Sequence, residues 1–287
     1  MSENISRKKV GLALSGGFIR ATAQIGVIEV LEENNIPIDI ISGCSSGSAI
    51  AGAYAAGTLP QLKKRLIEGR RRDFWRVIFE PTIPREGFLK GERNRVFFEE
   101  FVGDKEFKDL HKKVLLTVTD ILTMKETIIA DGKVGQAIQA CTAVPGVFKP
   151  VKRGGQVLVD GGNFNMIPSN VLYQNGADYV IAVYVSRPPS LFTRFFSTLR
   201  GLKKNKKEAI KNHKTNLNII DLIYRASWLS VAQSRNFYHT AYPYNIIIDP
   251  GIKHIGRMHT SAVKYCIQEG RRAALRAVPQ IKKDLGL

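Results

Sequence analysis

Residues 41–48 read ISGCSSGS, which sets four serines and two glycines between an apolar run and a stretch rich in alanine and glycine. Within it, residues 43–47 match G-x-S-x-G, a pattern typical of a tight turn from a strand into a helix with a serine at its tip. The two glycines of such a turn remove side chains that would collide with the backbone, and Ser45 is lifted out of the sheet. The pattern also fits an ordinary helix start, because serine is a preferred N-cap residue.

The segments around this turn predict a parallel sheet. An apolar run at 10–14 indicates a buried strand, and apolar residues recur at helical spacing from 21 to 34. A second strand is predicted at 38–41 and a helix of small residues at 46–57. This order implies parallel strands joined by crossover helices. We therefore predict one three-layer α/β/α domain over residues 1–287, with a mostly parallel central sheet.

The rest of the chain continues to alternate between short apolar runs and helical patterns. Helices are predicted over most of 61–100, at 135–143 and, as an amphipathic closing helix, at 262–275. The apolar or β-branched runs that predict the remaining strands lie at 114–119, 127–130, 156–160, 180–185 and 245–248.

The bulk composition is that of a soluble or peripheral globular protein. The chain has 287 residues, of which 44% are hydrophobic and 24% charged, as expected for one large domain. No window approaches the roughly 20 continuous apolar residues of a spanning helix, and no apolar signal segment is present. Three well-separated cysteines favour reduced thiols over a disulfide framework. We expect a cytoplasmic protein, compatible with a peripheral position on the inner face of a membrane.

The net charge of +18 is spread unevenly along the chain. Residues 187–287 hold 19 Lys and Arg against 5 Asp and Glu, whereas residues 1–186 hold 24 against 20. Such an excess indicates a polyanionic partner, either nucleic acid or an anionic membrane surface. A solvated basic face without any partner is the alternative.

Residues 187–214 form a basic insertion between two predicted strands, with nine Lys and Arg against one Glu. Leucines and phenylalanines within 191–207 recur at steps that would form one apolar stripe on a helix. Such a helix lies in the headgroup plane of anionic lipids, so we predict a membrane anchor at 191–207 that could double as a lid. The stripe could instead pack on the body of the protein. Because the aromatic residues cluster and no binding module is recognised, nucleic acid is the less favoured partner.

A catalytic serine needs an oxyanion site and a base. Residues 15–20, SGGFIR, lie between the first strand and the first helix, where free N–H groups point outward. They could hold an oxyanion. A phosphate-binding loop is the alternative, although neither G-x-G-x-x-G nor G-K-[ST] is met.

The candidate base is an aspartate, because none of the five histidines follows an apolar strand in a glycine-marked turn. Asp160 ends the strand predicted at 156–160 and begins a glycine turn. The ends of parallel strands meet at one edge of a sheet, where ligands bind, so Asp160 could reach Ser45 without an imidazole between them. An ordinary Asp-Gly turn is the alternative.

The glycine loop at 15–20, the turn with Ser45 and the turn with Asp160 follow one another in this order. This arrangement resembles that of the patatin-like phospholipase family. The resemblance runs from about residue 10 to residue 185. The segments that carry it are GLALSGGFIRATAQIGVIEVLEE at 11–33, GCSSG at 43–47, AIQACTAVPGVFKPV at 137–151 and VDGGNFNMIPSNVLYQNGADYVIAV at 159–183.

The resemblance implies a catalytic dyad of Ser45 as nucleophile and Asp160 as base. It implies no metal and no cofactor, and the sequence shows no metal-ligand cluster. The oxyanion hole that it implies is formed by the N–H groups of Gly16, Gly17 and Phe18.

Two further residues are expected to contact substrate. Arg20 matches the basic residue that follows the family's glycine loop, and Ser46 lies next to the nucleophile. The chain departs from the family pattern at Phe18, where the family has a third glycine, and at Ala21, where it has a glycine after the basic residue. We expect Phe18 to reshape the oxyanion hole and so to affect rate and substrate size more than the chemistry.

These observations predict a hydrolase of lipid acyl esters, acting on phospholipids or lysophospholipids. A transacylase with the same dyad is the alternative within the same class, since only the acceptor differs. A membrane-associated regulatory or scaffold protein with a weak site is the alternative from a different class, motivated by Phe18 and by the basic C-terminal third.

Overall fold

A central sheet with helices on both faces dominates the structure, which is a computed structural model. The structure describes residues 7–83, 86–185, 233, 237–256 and 258–287. The insertion at 187–214, with its apolar stripe at 191–207, lies outside the described residues, so its role as an anchor stays a prediction.

Strands and helices alternate in the first part of the described chain, and short groups of helices or of strands follow one another later. The strands are β1 Val10–Leu14, β2 Ile40–Cys44, β3 Gly87–Leu89, β4 Lys113–Asp120, β5 Lys125–Ile129, β6 Gly146–Phe148, β7 Val151–Arg153, β8 Gln156–Asp160, β9 Tyr179–Val183 and β10 Ile246–Ile248. The helices are α1 Ala23–Glu33, α2 Ser46–Ala55, α3 Leu59–Glu68, α4 Arg71–Ile78, α5 Glu92–Val102, α6 Val134–Cys141, α7 Ser169–Gln174 and α8 Val263–Leu285.

Five neighbouring strands of the main sheet are parallel. They stand in the order β10, β9, β1, β2 and β4, and each pairs in parallel with the next. Every residue of β1, β2 and β9 is buried, as their near-continuous apolar sequences predict for strands covered on both faces. The central parallel part of the predicted fold is confirmed.

The two faces of the sheet are covered by different helices. Alternate side chains of a strand point to opposite faces. Leu12, Ile41 and Leu116 pack against the layer that contains α1, α2, α6 and α8. Ala13 and Leu115 pack against α7 on the other face. The predicted three-layer arrangement is therefore present, and among the described residues the layer that contains α7 is the thinner of the two.

The strands beyond β4 reverse direction. Both β5 and β8 are antiparallel to β4, and β7 is antiparallel to β8. The prediction of a strand that ends at Asp160 is confirmed, but the expectation that this strand is parallel is wrong. The chain reverses immediately before β8, at a two-residue turn of Gly154 and Gly155 with φ values of 53° and 80°. Strand β8 therefore enters the sheet from a hairpin with β7 and not from the crossover helix that a parallel strand requires.

The closing helix is longer than the predicted 262–275. Helix α8 continues to Leu285 although Pro279 lies inside it, and an interior proline removes one backbone hydrogen bond. Val278 and Ile281, on either side of the proline, are buried in the main hydrophobic core. Their burial offsets the cost of the proline and holds the last turns on the domain.

Helices α1 and α8 cross at two glycines. A Cβ atom at Gly270 would overlap the backbone carbonyl of Ala23, and one at Gly26 would overlap the backbone carbonyl of Ile267. The two backbones therefore touch where any larger residue would force the helices apart. An ion pair of Arg271 with Glu33, at 2.7 Å, lies beside this crossing.

We expect the Gly270→Ala variant to be destabilised by about 2 kcal/mol, because overpacking at a close contact typically costs 1–3 kcal/mol. Helix propensity alone would predict the opposite change in the free energy of unfolding, because alanine is favoured over glycine in a helix. Urea denaturation measures the effect. The Gln268→Ala variant, at an exposed position two residues away, is the control and should change stability by less than about 0.5 kcal/mol. Equal stability of both variants with the unmodified protein would show that the crossing is looser than described.

Candidate active site

The elbow between β2 and α2 has the geometry that its sequence predicts. Ser45 has φ 51° and ψ −130°, a strained conformation that non-glycine residues adopt rarely and mostly at functional sites. A Cβ atom at Gly47 would press on the carbonyl oxygens of Leu14 and Ser15 at the end of β1. Only a glycine fits there. Although Ser45 occupies the N-cap position of α2, its side chain makes no capping hydrogen bond, which argues against a merely structural role.

The pairing of β4 brings Asp160 to this elbow. A strand has two hydrogen-bonding edges, and β5 occupies one edge of β4 over residues 116–120. Both β2 and β8 must therefore use the other edge. On that edge Cys44 lies opposite Thr117, and Asp160 lies opposite Val118. The ends of β2 and β8 thus meet head to head. They are separated along β4 by one residue, a distance of about 3.3 Å.

The side chains of Ser45 and Asp160 border the same methionine. An added Cβ atom at Gly16 would lie 3.2 Å from Ser45 Oγ and 3.3 Å from Met166 Sδ. One at Gly162 would lie 3.1 Å from Asp160 Oδ1 and 3.4 Å from the same sulfur. The two predicted dyad residues therefore lie together, next to the turn that carries the glycines.

The Asp160 carboxylate is buried and held in place by its own turn. Its Oδ1 accepts a 2.8 Å hydrogen bond from the N–H of Gly162, and the N–H of Asp160 donates to the carbonyl of Ala143. Its negative charge reaches the neighbouring thiols. Burial, together with this charge, raises the pKa of Cys44 and of Cys141, so both thiols stay protonated and neither competes with Ser45 as a nucleophile.

The glycine loop is hydrogen-bonded to the residue that follows the nucleophile. The N–H groups of Gly17 and Phe18 both donate to Ser46 Oγ, each at 2.9 Å. Ser46 is partly buried and lines the cavity beside Ser45. The expectation that the loop N–H groups are free is therefore wrong for two of the three predicted oxyanion donors, because the side chain of Ser46 occupies them.

Phe18 has a backbone conformation suited to glycine. Its φ is 54°, in the left-handed region that costs other residues about 1–2 kcal/mol. This strain accounts for the glycine expected at this position from the family pattern. The Phe18 side chain lines the cavity beside Ser45 and Ser46.

Arg20 lies beneath the loop and not on the cavity wall. Its side chain is buried, and the residues that line the cavity include its neighbours Ile19 and Ala21 but not Arg20. Burial raises the pKa of Cys266, on α8, to about 11, and the positive charge of Arg20 acts in the opposite direction. Arg20 therefore lies near α8. Its predicted contact with substrate stays a prediction that this position does not favour.

A buried polar cluster that the sequence did not indicate supports the Asp160 turn. Glu126 on β5 accepts hydrogen bonds of 2.8 Å from the side-chain amides of Asn165 and Asn170. Asn165 also binds the turn, because its N–H donates to the carbonyl of Gly161. Burial raises the pKa of Glu126, and the two amides oppose that shift. The asparagines follow the glycine turn in sequence, whereas nothing in the sequence pairs Glu126 with them.

An apolar cavity opens beside Ser45. It encloses about 1080 Å³, part of it open to solvent. Helices α3, α4 and α5 supply nearly half of its apolar lining residues, while Arg65, Arg70 and Asp73 provide charged groups. This shape and lining suit a long apolar chain attached to a polar group.

Comparison with known proteins agrees with this geometry. The sequence profile of the family described as patatin-like phospholipase matches residues 12–173, more than half of the chain. The matched range includes the glycine loop, the elbow and Asp160. The chain belongs to the patatin-like phospholipase family. The resemblance recognised in the sequence is confirmed.

Lysophospholipases of fungi are among the relatives of this patatin-like chain. The lysophospholipase nte1 of Aspergillus oryzae is 33% identical over 189 residues, which are 64% of this chain and 12% of that protein. The lysophospholipase NTE1 of Debaryomyces hansenii is 30% identical over 241 residues, 79% of this chain and 15% of that protein. The chain therefore spans less than a sixth of the length of these relatives.

A solved structure shares the fold. VipD from Legionella pneumophila superposes with a TM-score of 0.50 at 13% sequence identity, over 96% of this chain and 67% of that chain. This similarity concerns the fold alone. It agrees with the predicted class, a mostly parallel sheet between helical layers.

The left-handed backbone of Phe18 predicts an inverted order of stability for two variants. We expect Phe18→Gly to be more stable than Phe18→Ala by about 1 kcal/mol, because both lose the ring but only alanine keeps the steric penalty of a positive φ. Urea denaturation of both variants gives the difference. At the exposed helical position Gln268, the same pair of substitutions should show the usual order, with alanine the more stable. An alanine variant more stable than the glycine variant at position 18 would contradict the described loop.

Proposed function

We propose that this patatin-like protein hydrolyses acyl esters of lipids, with Ser45 as nucleophile and Asp160 as general base. One observation carries the proposal: β2 and β8 end head to head on one edge of β4, beside an apolar cavity. The strained elbow holds Ser45 at the wall of this cavity, and the buried carboxylate of Asp160 at the neighbouring strand end is the candidate to accept its proton. The substrate class is a phospholipid or a lysophospholipid, in line with the names of the fungal relatives.

The reaction proceeds through an acyl-enzyme. Asp160 takes the proton of the Ser45 hydroxyl as Oγ attacks the ester carbonyl, and a tetrahedral oxyanion forms. Collapse of this intermediate breaks the ester bond, and the leaving alkoxide receives the proton from Asp160. Water then attacks the acyl-enzyme while Asp160 again serves as base, and the fatty acid is released. Transfer to an alcohol instead of water would give a transacylase with the same groups.

Ser46 connects the glycine loop to the oxyanion in this mechanism. A serine hydroxyl has two acceptor lone pairs and one O–H donor. Both lone pairs of Ser46 Oγ face N–H groups, those of Gly17 and Phe18, so the O–H remains free to donate into the cavity. Two N–H donors polarise that O–H and strengthen its donation. We assign this hydroxyl as an oxyanion donor, with the loop amides acting through it and the N–H of Gly16 beside it.

The lipid substrate requires access to a membrane or micelle surface. No helix in the described part of the chain is long and apolar enough to cross a bilayer. We propose that the protein acts at the surface of an anionic membrane, and residues 191–207 remain a proposed anchor for it. The nine Lys and Arg of residues 187–214 would supply charge for such a contact.

The dyad is tested by two substitutions. We expect Ser45→Ala and Asp160→Asn to lower kcat/KM at least about 1000-fold on both a short p-nitrophenyl ester and a lysophospholipid, since members of a catalytic set act as a unit. A fluorophosphonate probe should label the unmodified protein but not Ser45→Ala. The exposed Ser261→Ala and Asp131→Asn variants are matched controls and should keep full activity. Wild-type rates in either dyad variant would exclude the proposed mechanism.

The donor role of Ser46 predicts a loss that is confined to the chemical step. Removal of one oxyanion donor typically costs 10²–10³ in kcat, so we expect Ser46→Ala to lose about 100-fold in kcat with little change in KM. Ser46→Thr, which retains a hydroxyl, should recover most of the rate. Steady-state kinetics on the soluble ester measures both effects. An alanine variant as fast as the unmodified protein would show that the amides bind the oxyanion directly.

A further inference from the structure

The outer wall of the cavity carries a basic sequence. Residues 63–76, KKRLIEGRRRDFWR, hold seven Lys and Arg against two acidic residues. Helix α4 begins in this run, extends two residues beyond it, and has no buried residue. Phe74, Val77 and Ile78 on its inner side line the cavity, while Arg71, Arg72 and Arg76 are exposed. The helix therefore separates the cavity from solvent with an apolar inner face and a basic outer face.

A short antiparallel arm follows α4. The N–H of Thr82 donates to the carbonyl of Phe88, and the N–H of Lys90 donates to the carbonyl of Glu80. Pro81 and Leu89 form an antiparallel bridge between these bonds. We call residues 79–83 and 86–90 the arm.

The arm presents large apolar side chains to solvent. Phe79 is 45% exposed, Ile83 73% and Phe88 49%. On β3 the neighbours of Phe88, Gly87 and Leu89, are buried, because alternate residues of a strand point to opposite sides. Clustered exposed apolar side chains of this size mark an interaction surface more often than chance exposure.

The surroundings of the arm indicate an anionic, lipid-like partner. Arg93 binds the carbonyls of Arg76 and Phe79 through its guanidinium group, so positive charge lies at the joint between α4 and the arm. Among the outward arginines of α4, Arg72 lies 3.8 Å from the half-buried Asp73, and its own side chain is 63% exposed. Such contacts leave the guanidinium groups accessible to phosphate. Apolar tips surrounded by arginines match a bilayer surface, where acyl chains lie beneath anionic headgroups.

We propose that α4 and the arm dock on an anionic lipid surface, with Ile83 and Phe88 inserted below the headgroups and the α4 arginines at the phosphates. The inference rests on the proposed lipid hydrolase function and adds the face that meets the substrate layer. Gly69, Arg70 and Asp73, at the start of α4, line the cavity, so this docking brings the bilayer to the cavity wall. An acyl chain could then enter without crossing bulk water.

Vesicle sedimentation tests the charged part of this face. The probes are phosphatidylcholine vesicles with and without phosphatidylglycerol at about 30 mol%, which makes the surface anionic. We expect the triple variant Arg71→Gln, Arg72→Gln, Arg76→Gln to bind the anionic vesicles about 100-fold more weakly, from about fivefold for each basic residue. The matched control replaces three exposed basic residues of α8, Arg272, Arg276 and Lys283, by Gln. It removes the same charge and should bind almost as the unmodified protein.

The apolar part is tested by a second matched pair. We expect Ile83→Ser with Phe88→Ser to weaken binding to anionic vesicles at least 10-fold. The control is Leu122→Ser with Met124→Ser, since these residues are 64% and 75% exposed on a turn elsewhere in the chain. All variants should keep wild-type rates on a short water-soluble ester, which also shows that they are folded. Their rates on vesicle substrate should fall in proportion to binding.

The outcomes separate this proposal from the proposed function. Unchanged vesicle binding by the α4 and arm variants would overturn the docking face, as would equal losses in both controls. The docking face would also be overturned if only substitutions within 191–207 reduced vesicle binding. The Ser45→Ala variant should still sediment with vesicles. If the unmodified protein binds vesicles through this face but hydrolyses no ester, the docking inference survives and the enzyme proposal fails.

Discussion

The arrangement of the site depends on one constraint, the length difference between two neighbouring strands. Strand β4 continues three residues past the point where β2 ends, and this overhang leaves unpaired backbone groups on the same edge. Strand β8 satisfies them by running back toward β2. Its last residue, Asp160, therefore stops where the elbow begins. Without the overhang, a carboxylate 115 positions away in the chain would have no structural reason to approach Ser45.

Close backbone contacts give this arrangement its precision. Gly47 lies against the end of β1, and Gly16 lies against the Cβ of Ser45. Because these contacts leave no room for a side chain, the loop and the elbow can adopt few relative positions. The positive φ angles of Ser45 and Phe18 are held by the same packing, as is typical of functional sites. A rigid, water-poor pocket is the setting in which fixed dipoles stabilise a developing charge most effectively.

Local rules explain how much of this could be predicted from the sequence. The elbow, the loop at 15–20 and most helices and strands follow from short patterns, and the structure confirms them. Asp160 was identified correctly as a neighbour of Ser45 but through a wrong assumption about strand direction, because periodicity does not tell parallel from antiparallel strands. The bonds of Ser46 to the loop amides and the cluster around Glu126 join distant segments, so no local pattern could indicate them. Helix α8 is longer than predicted because the burial of Val278 and Ile281 outweighs the hydrogen bond lost at Pro279.

The crossing of α1 and α8 at two glycines joins an early segment of the chain to a late one. The loop at 15–20 leads directly into α1, and Arg20 beneath it lies near Cys266 of α8. Nearly all other parts of the site are synthesised before α8, yet the underside of the loop is covered only when α8 arrives. A nascent chain therefore carries Ser45 for some time without a fully supported pocket.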